Sequence, residues 1–283
     1  MESGSPSIRY VDVFGSDPFS GNPLAVIESA ADLSTAVMQK IAHWLNLSET
    51  TFLLPPSQPG VDYRVRIFTT ENELPFAGHP TLGSCHAWLE AQGLSAQQRT
   101  ITQECGAGLV TIKAERGQLA FKAPPLIRSG APSQQELDDA LRFLWVEPSA
   151  VLDAAWVDNG PGWLGVLLKD SQAVLEVVPD TGWQNDVSVG IVGACPEGAD
   201  TDFEVRAFFK EKAGPLIEDP VTGSLNASLA QWLFASGVAK NDYLAAQGTA
   251  IGRKGQITIR RDSHAEVWVG GNTRTCFYGP LVL

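Results

Sequence analysis

Cysteine and histidine are scarce, four of each in 283 residues. Cys85, Cys105, Cys195 and Cys276 lie far apart without a CxxC pair, and no HExxH occurs. The usual zinc and iron ligand spacings are therefore missing, no metal is expected, and the cysteines read as small buried hydrophobes. Positive charge is also short, with 20 Lys and Arg against 32 Asp and Glu, a formal charge of −12. A surface of that sign repels phosphate backbones, and no run of basic residues offsets it, so a nucleic-acid partner is not expected. No stretch approaches the roughly 18 consecutive apolar residues of a membrane-spanning helix. Met1 to Pro6 lack the positive and apolar regions of a secretion signal, which gives the expectation of a cytoplasmic protein. GxGxxG, P-loop and GxSxG motifs are absent, and Gly106-Ala107-Gly108 leads into a strand pattern rather than a helix. No flavin or nicotinamide is implied, so the expected cofactor set is empty.

What is present is an ordinary globular composition, 44% hydrophobic and 18% charged, in a chain long enough for two domains of about 140 residues. Sliding the sequence against itself by 140 positions aligns Val65-Arg66-Ile67-Phe68 with Val205-Arg206-Ala207-Phe208. Glu71, Pro75, Pro80, Gly83-Ser84, Ala87 and Leu89 recur as Glu211, Pro215, Pro220, Gly223-Ser224, Ala227 and Leu229. Ten of the 25 positions from 65 to 89 are identical without a gap, against one or two expected by chance. The expectation is a duplicated domain over residues 1–130 and 145–270, with 271–283 as a strand crossing back to the first copy.

Alternation at Tyr63, Val65 and Ile67, repeated at Phe203, Val205 and Ala207, predicts strands. Leu82, Cys85 and Leu89 predict a helix, as do Leu225, Leu229 and Leu233, and broad apolarity around Leu229, Trp232 and Leu233 predicts one enclosed by sheet. A further helix is expected over Ser34 to Trp44, with Val37, Ile41 and Trp44 on one face. The fold class is therefore α+β: two similar domains, each a mostly antiparallel or mixed sheet curled around a central helix.

Pro80 and Pro220 suit a first helical position, where a missing N–H costs nothing. That reading makes His79 and Asp219 the N-caps and puts Gly83-Ser84 and Gly223-Ser224 in the first turns. Asp is a good cap in its own right, whereas His79, beside Gly78, is not a favoured one and calls for another role. In a duplicated protein such helix ends can face one another, and their free N–H groups would bind a carboxylate or a developing enolate. Glu49 lies where the first helix gives way to Phe52-Leu53-Leu54; its apolar flanks suit an acid/base carboxylate, although many such loop glutamates are only solvated. Asp17, Asp158 and Glu211 read as turn or surface residues.

Four stretches resemble the PhzF-like isomerase family of the diaminopimelate-epimerase-like fold. They are Val11-Asp12-Val13-Phe14 with Gly21-Asn22-Pro23-Leu24-Ala25-Val26, Leu47-Ser48-Glu49-Thr50, Glu73 to Thr81, and Asp219 to Ser224. The resemblance spans nearly the whole chain. It implies that Glu49 matches the family's proton-transfer glutamate, that His79 and Asp219 match pocket residues assisting it, and that Ser224 matches a further pocket residue. It also implies a cofactor-independent isomerase acting as a homodimer on a small acidic or unsaturated metabolite, as in phenazine biosynthesis. Gly78, Gly83, Ser84, Gly223 and Ser224 are the expected substrate-binding positions. Leu225-Asn226 replace an alanine and histidine common in relatives, and the larger Leu225 is expected to reshape the pocket. A single-centre epimerase and a non-catalytic small-molecule binding protein are the alternatives.

Overall fold

The structure, a computed structural model, describes residues 6–210 and 214–282. Met1 to Ser5, Glu211 of the repeat and the final Leu283 lie outside the described residues. The chain divides into two compact units, one of Met1–Lys122 with Gly270–Leu283, the other of Ala123–Val269.

In the first unit β1 (Ser7–Val13), β2 (Asn22–Glu28), α1 (Thr35–Leu45), β3 (Thr50–Leu54), β4 (Tyr63–Phe68) and β5 (Glu73–Leu74) lead to α2 (Gly78–Ala91). The strands β6 (Arg99–Cys105), β7 (Gly108–Glu115) and β8 (Gln118–Lys122) follow. The second unit contains β9 (Arg128–Gly130), α3 (Gln134–Leu144), β10 (Val151–Asp158), β11 (Leu164–Leu168), α4 (Ser171–Glu176), β12 (Val187–Ala194), β13 (Phe203–Lys210) and β14 (Ile217–Glu218). It continues with α5 (Gly223–Ala235), β15 (Tyr243–Gln247) and β16 (Gly255–Arg261), and ends in β17 (Val267–Gly271), whose last two residues belong to the first unit. The final strand, β18 (Thr273–Pro280), pairs antiparallel with β1.

Both units use the same pairing order. In the first, β1–β2 is antiparallel, β2–β3 parallel, β3–β4 antiparallel and β4–β6 parallel. In the second, β10–β11, β11–β12, β12–β13 and β13–β15 repeat that series. The parallel steps leave strands covered on both faces, so β3 (TTFLL) and β11 (LGVLL) are buried throughout and read as apolar runs without alternation. Helix α2 is buried along most of its length against β1, β2, β3, β4, β6, β8 and β18. The expected sheet curled around a central helix is what each unit shows.

On the outer face of the first sheet, α1 packs Met38 and Ala42 against Ile27, Phe52 and Phe68. The expected face of Val37, Ile41 and Trp44 is turned by one position: Trp44 is 81% exposed, and Ile41 sits at the edge of the cluster. Ser34 caps this helix through Val37 N.

The repeat holds its 140-residue offset only through β4 and β13. Phe68 pairs with Glu73, but Phe208 pairs with Glu218, so the second hairpin carries five more residues. Beyond it the equivalent offset is 145, which matches Glu73, Pro75 and Gly78 to Glu218, Pro220 and Gly223. The ungapped matching of 65–89 to 205–229 is corrected accordingly, and His79 corresponds to Ser224 rather than to Asp219.

Leu225 is fully buried against β12, where Gly190 leaves its space; a methyl on residue 190 would overlap the Leu225 side chain. Gly190→Ala is expected to cost about 1–3 kcal/mol by overpacking. In urea titrations the Gly190→Ala/Leu225→Ala pair should lose less than the two single changes added together. Additive losses would show that the two positions do not share this space.

Candidate active site

Helix α2 begins two residues earlier than the prolines suggest. Its N-cap is Ala77, Gly78 and His79 are the first two helical residues and Pro80 the third, and the first helical bond is Thr81 N to Ala77 O, 3.2 Å. Pro is tolerated there because the third N–H has no intrahelical partner either. Helix α5 departs in the opposite direction: it begins at Gly223, three residues after Pro220, with Thr222 as its N-cap. His79 and Asp219 are therefore not N-caps, and Gly83 and Ser84 are not first-turn residues. Gly83 sits in the second turn, where a Cβ would lie 2.5 Å from Leu24 Cδ2, so its small size serves packing against β2. Ser84 Oγ donates to Thr51 Oγ1 at 2.9 Å inside the core. In place of Gly83 and Ser84, the first-turn N–H groups of α2 belong to Gly78 and His79.

In the first unit the fold brings Glu49 and His79 together. Glu49 directly precedes β3, and its Oε2 lies 3.5 Å from Nε2 of His79, with the two side chains 17% and 4% exposed. Behind them, Asn22 at the start of β2 is fully buried and sets its Nδ2 3.4 Å from His79 Nδ1. Burial pushes the His79 imidazolium down to about 3. The Glu49 carboxylate acts in the opposite sense, but 3.5 Å is longer than a good hydrogen bond, so burial dominates and the ring is neutral at pH 7.

That depressed value has a consequence for stability. The unfolded chain protonates His79 near pH 6.5 and the folded chain only near 3, so stability is lost as pH falls through this window. Between pH 6 and 4 the unmodified protein should lose on the order of 2 kcal/mol more than His79→Gln in urea titrations. Equal losses in the two proteins would contradict a buried neutral ring.

In the second unit, Asp219 is nearly buried four residues before α5. Thr222 Oγ1 donates to its Oδ2 at 2.6 Å, and Gln247 Nε2 donates to its carbonyl at 3.0 Å and to Thr222 Oγ1 at 2.9 Å. Asn226 closes the network, donating to Gln247 Oε1 at 2.7 Å and to Thr222 O at 2.9 Å. Gln247 was not apparent as a site residue in the sequence; it joins Asn226, Thr222 and Asp219 only through folding, from 21 to 28 positions away. Ser224 accepts from Trp163 Nε1 at 3.1 Å, and its carbonyl accepts from Asn159 Nδ2 at 2.9 Å. Strand pairing makes Ser188, which directly precedes Val189, the counterpart of Glu49, because Thr50 and Val189 each pair with the phenylalanine of the next strand. The carboxylate and imidazole of the first unit thus have no like pair in the second: their counterparts are Ser188 and Ser224.

Among the described residues no group of three or more His, Cys, Asp or Glu side chains is placed to hold a metal ion, and no helix is long and apolar enough to cross a membrane. Cys85, inside α2, has its thiol pushed up to about 12 by burial, which keeps it protonated. Asp158 is a turn residue, accepting from Gly160 N and Gly162 N at 2.7 Å each.

Two units, each a mixed sheet around a buried helix, define the fold class as α+β. The chain belongs to the phenazine biosynthesis-like protein family, whose model matches residues 11–279. It is 36% identical to Antisense-enhancing sequence 1 of Schizosaccharomyces pombe, covering 96% of this chain and 97% of that one. It is 33% identical to the trans-2,3-dihydro-3-hydroxyanthranilate isomerase of Pseudomonas chlororaphis, covering 96% and 98%. The crystal structure of a phenazine biosynthesis protein of the PhzF family from Enterococcus faecalis matches with a TM-score of 0.80 at 26% identity, over 99% of this chain and all of that one. The protein is accordingly an isomerase-type enzyme for a small molecule, working by acid/base chemistry without a cofactor.

Proposed function

We propose that this protein shifts a proton along a small unsaturated or carboxylated acid, with Glu49 as the single proton carrier. The observation that supports this most is the pairing of a partly exposed carboxylate with a buried neutral imidazole at the start of α2. A neutral His79 donates a hydrogen bond without competing for the proton, which leaves the base role to Glu49. Ser188 and Ser224 at the matching positions of the second unit supply no second base of that kind, which favours a one-carrier shift over a two-base epimerisation. In this reading the N–H of Gly78 holds the polar end of the substrate beside Glu49, and Asp219, Gly223 and Ser224 are binding positions by the family resemblance. Helix N-terminal N–H groups suit a carboxylate or enolate, and they would have to supply locally the attraction that a −12 chain lacks at long range. The two units are proposed to be copies of one duplicated domain. A homodimer belongs to the same proposal and is supported by the family resemblance alone, and a cytoplasmic location is proposed with it.

The test is incubation with trans-2,3-dihydro-3-hydroxyanthranilate, for which the Pseudomonas relative is named, in deuterium oxide, followed by NMR. A moved double bond with deuterium on the carbon that gains hydrogen is expected. Exchange at one stereocentre with the skeleton unchanged would mean an epimerase instead.

A further inference from the structure

We infer that Asn22 is a positioning residue that fixes the tautomer of His79, keeping the ring proton on Nε2 where it faces Glu49. This rests on the reading of Glu49 as the proton carrier. An amide nitrogen only donates, so Nδ2 of Asn22, 3.4 Å from Nδ1 of His79, requires a lone pair on Nδ1. A neutral ring has one N–H, which then belongs to Nε2. The other end of the ring gives the same answer independently. Glu49 Oε2 stands 3.5 Å from Nε2, and a carboxylate oxygen is compatible with an N–H there but repelled by a lone pair. Turning the Asn22 amide over would place oxygen against Nδ1, draw the proton to that side and set two lone pairs against each other beside Glu49.

The scaffold holds Asn22 in place for this. It is the first residue of β2, paired with Val13 of β1, and its side chain is fully buried beside a ring that is itself almost fully buried. Three elements therefore meet in a line running outward from the core: β2 with Asn22, the first turn of α2 with His79, and the entry to β3 with Glu49. The chemical result is directional. His79 presents a donor to Glu49 or to a bound anion and has no basic nitrogen on that side, so it cannot act as a rival base there. A residue that only filled space at position 22 would be indifferent to which nitrogen carries the proton.

The experiment is ¹⁵N NMR of the imidazole nitrogens in the ligand-free protein at pH 7, with the His79 signals assigned by their loss in His79→Gln. The unmodified protein should show a protonated Nε2 and an unprotonated Nδ1. Asn22→Asp keeps the shape but offers only acceptors, and it should move the proton to Nδ1 or leave the ring doubly protonated. Asn22→Leu, which offers neither donor nor acceptor, should give a mixture of the two tautomers and serves if the Asp variant does not fold. A proton on Nδ1 in the unmodified protein, or an unchanged pattern in a folded Asn22 variant, would overturn the inference. No substrate enters these spectra. A correct tautomer with full turnover by Glu49→Gln would sink the functional reading alone, whereas a wrong tautomer with lost turnover would sink this inference alone.

Discussion

Glu49→Gln is expected to slow turnover of the protein's substrate at least about a hundredfold, the usual range for losing a general acid/base being roughly 10²- to 10⁴-fold. The change keeps the side chain's size and its place before β3 while removing the basic oxygen, so kcat should fall and ligand affinity should move little. Burial holds the neighbouring His79 neutral and lowers its basicity, which makes it a poor substitute base. A solvated loop glutamate would give no change in either constant. Steady-state kinetics with a binding measurement on the same variant separates the two cases, since loss of binding alone would make Glu49 a contact rather than the carrier.

The largest stability effect is expected at Arg206 in β13. Its guanidinium forks onto Glu218 through Nε and Nη2 at 2.9 and 2.8 Å, and Nη1 donates to the carbonyls of Val174 and Val177 at 3.1 and 2.6 Å. The side chains are 6% and 15% exposed. The arginine therefore satisfies the carbonyls at the end of α4 as well as a nearly buried carboxylate. Removing one partner of such a pair costs about 3–5 kcal/mol because the other charge is left buried, so Arg206→Met should fall in that range by urea titration. Arg66 makes the matching fork onto Glu73 in the first unit, but that pair is more exposed, and Arg66→Met should cost no more than about 1 kcal/mol. Equal effects at the two positions would mean that burial does not set the difference.

Strands and enclosed helices were legible because their signals are local. Alternation marked β4 and β13, and all-round apolarity marked α2 and α5 as buried. The family and the reaction class were legible in short motifs, chiefly Glu73 to Thr81 and Asp219 to Ser224. Register and helix start were not. The five extra residues between β13 and β14 keep a chance-boosted ungapped match alive past the point where the two copies diverge. Pro80 fits the third helical position as well as the first, and Pro220 lies outside α5, two residues before its N-cap, so neither proline locates a helix start, and Gly83 packs against Leu24. Leu225 was expected to reshape the pocket, yet it is buried on Gly190, a partner 35 positions away that no local pattern connects to it. The Asp219, Thr222, Asn226 and Gln247 network, and Asn22 behind His79, are likewise contacts made across the fold. Asn22 stood in view within Gly21-Asn22-Pro23, but nothing in the sequence tied its amide to an imidazole 57 residues later.

The most direct test of the central claim, that Glu49 carries the proton, is solvent-deuterium incorporation into a small unsaturated acid that the unmodified protein turns over, compared between the unmodified protein and a folded Glu49→Gln. The account predicts label in the rearranged product with the unmodified protein and incorporation at least about a hundredfold slower with the variant, while the variant still binds the compound. Label appearing at the same rate with both would show that another group moves the proton, and would contradict it.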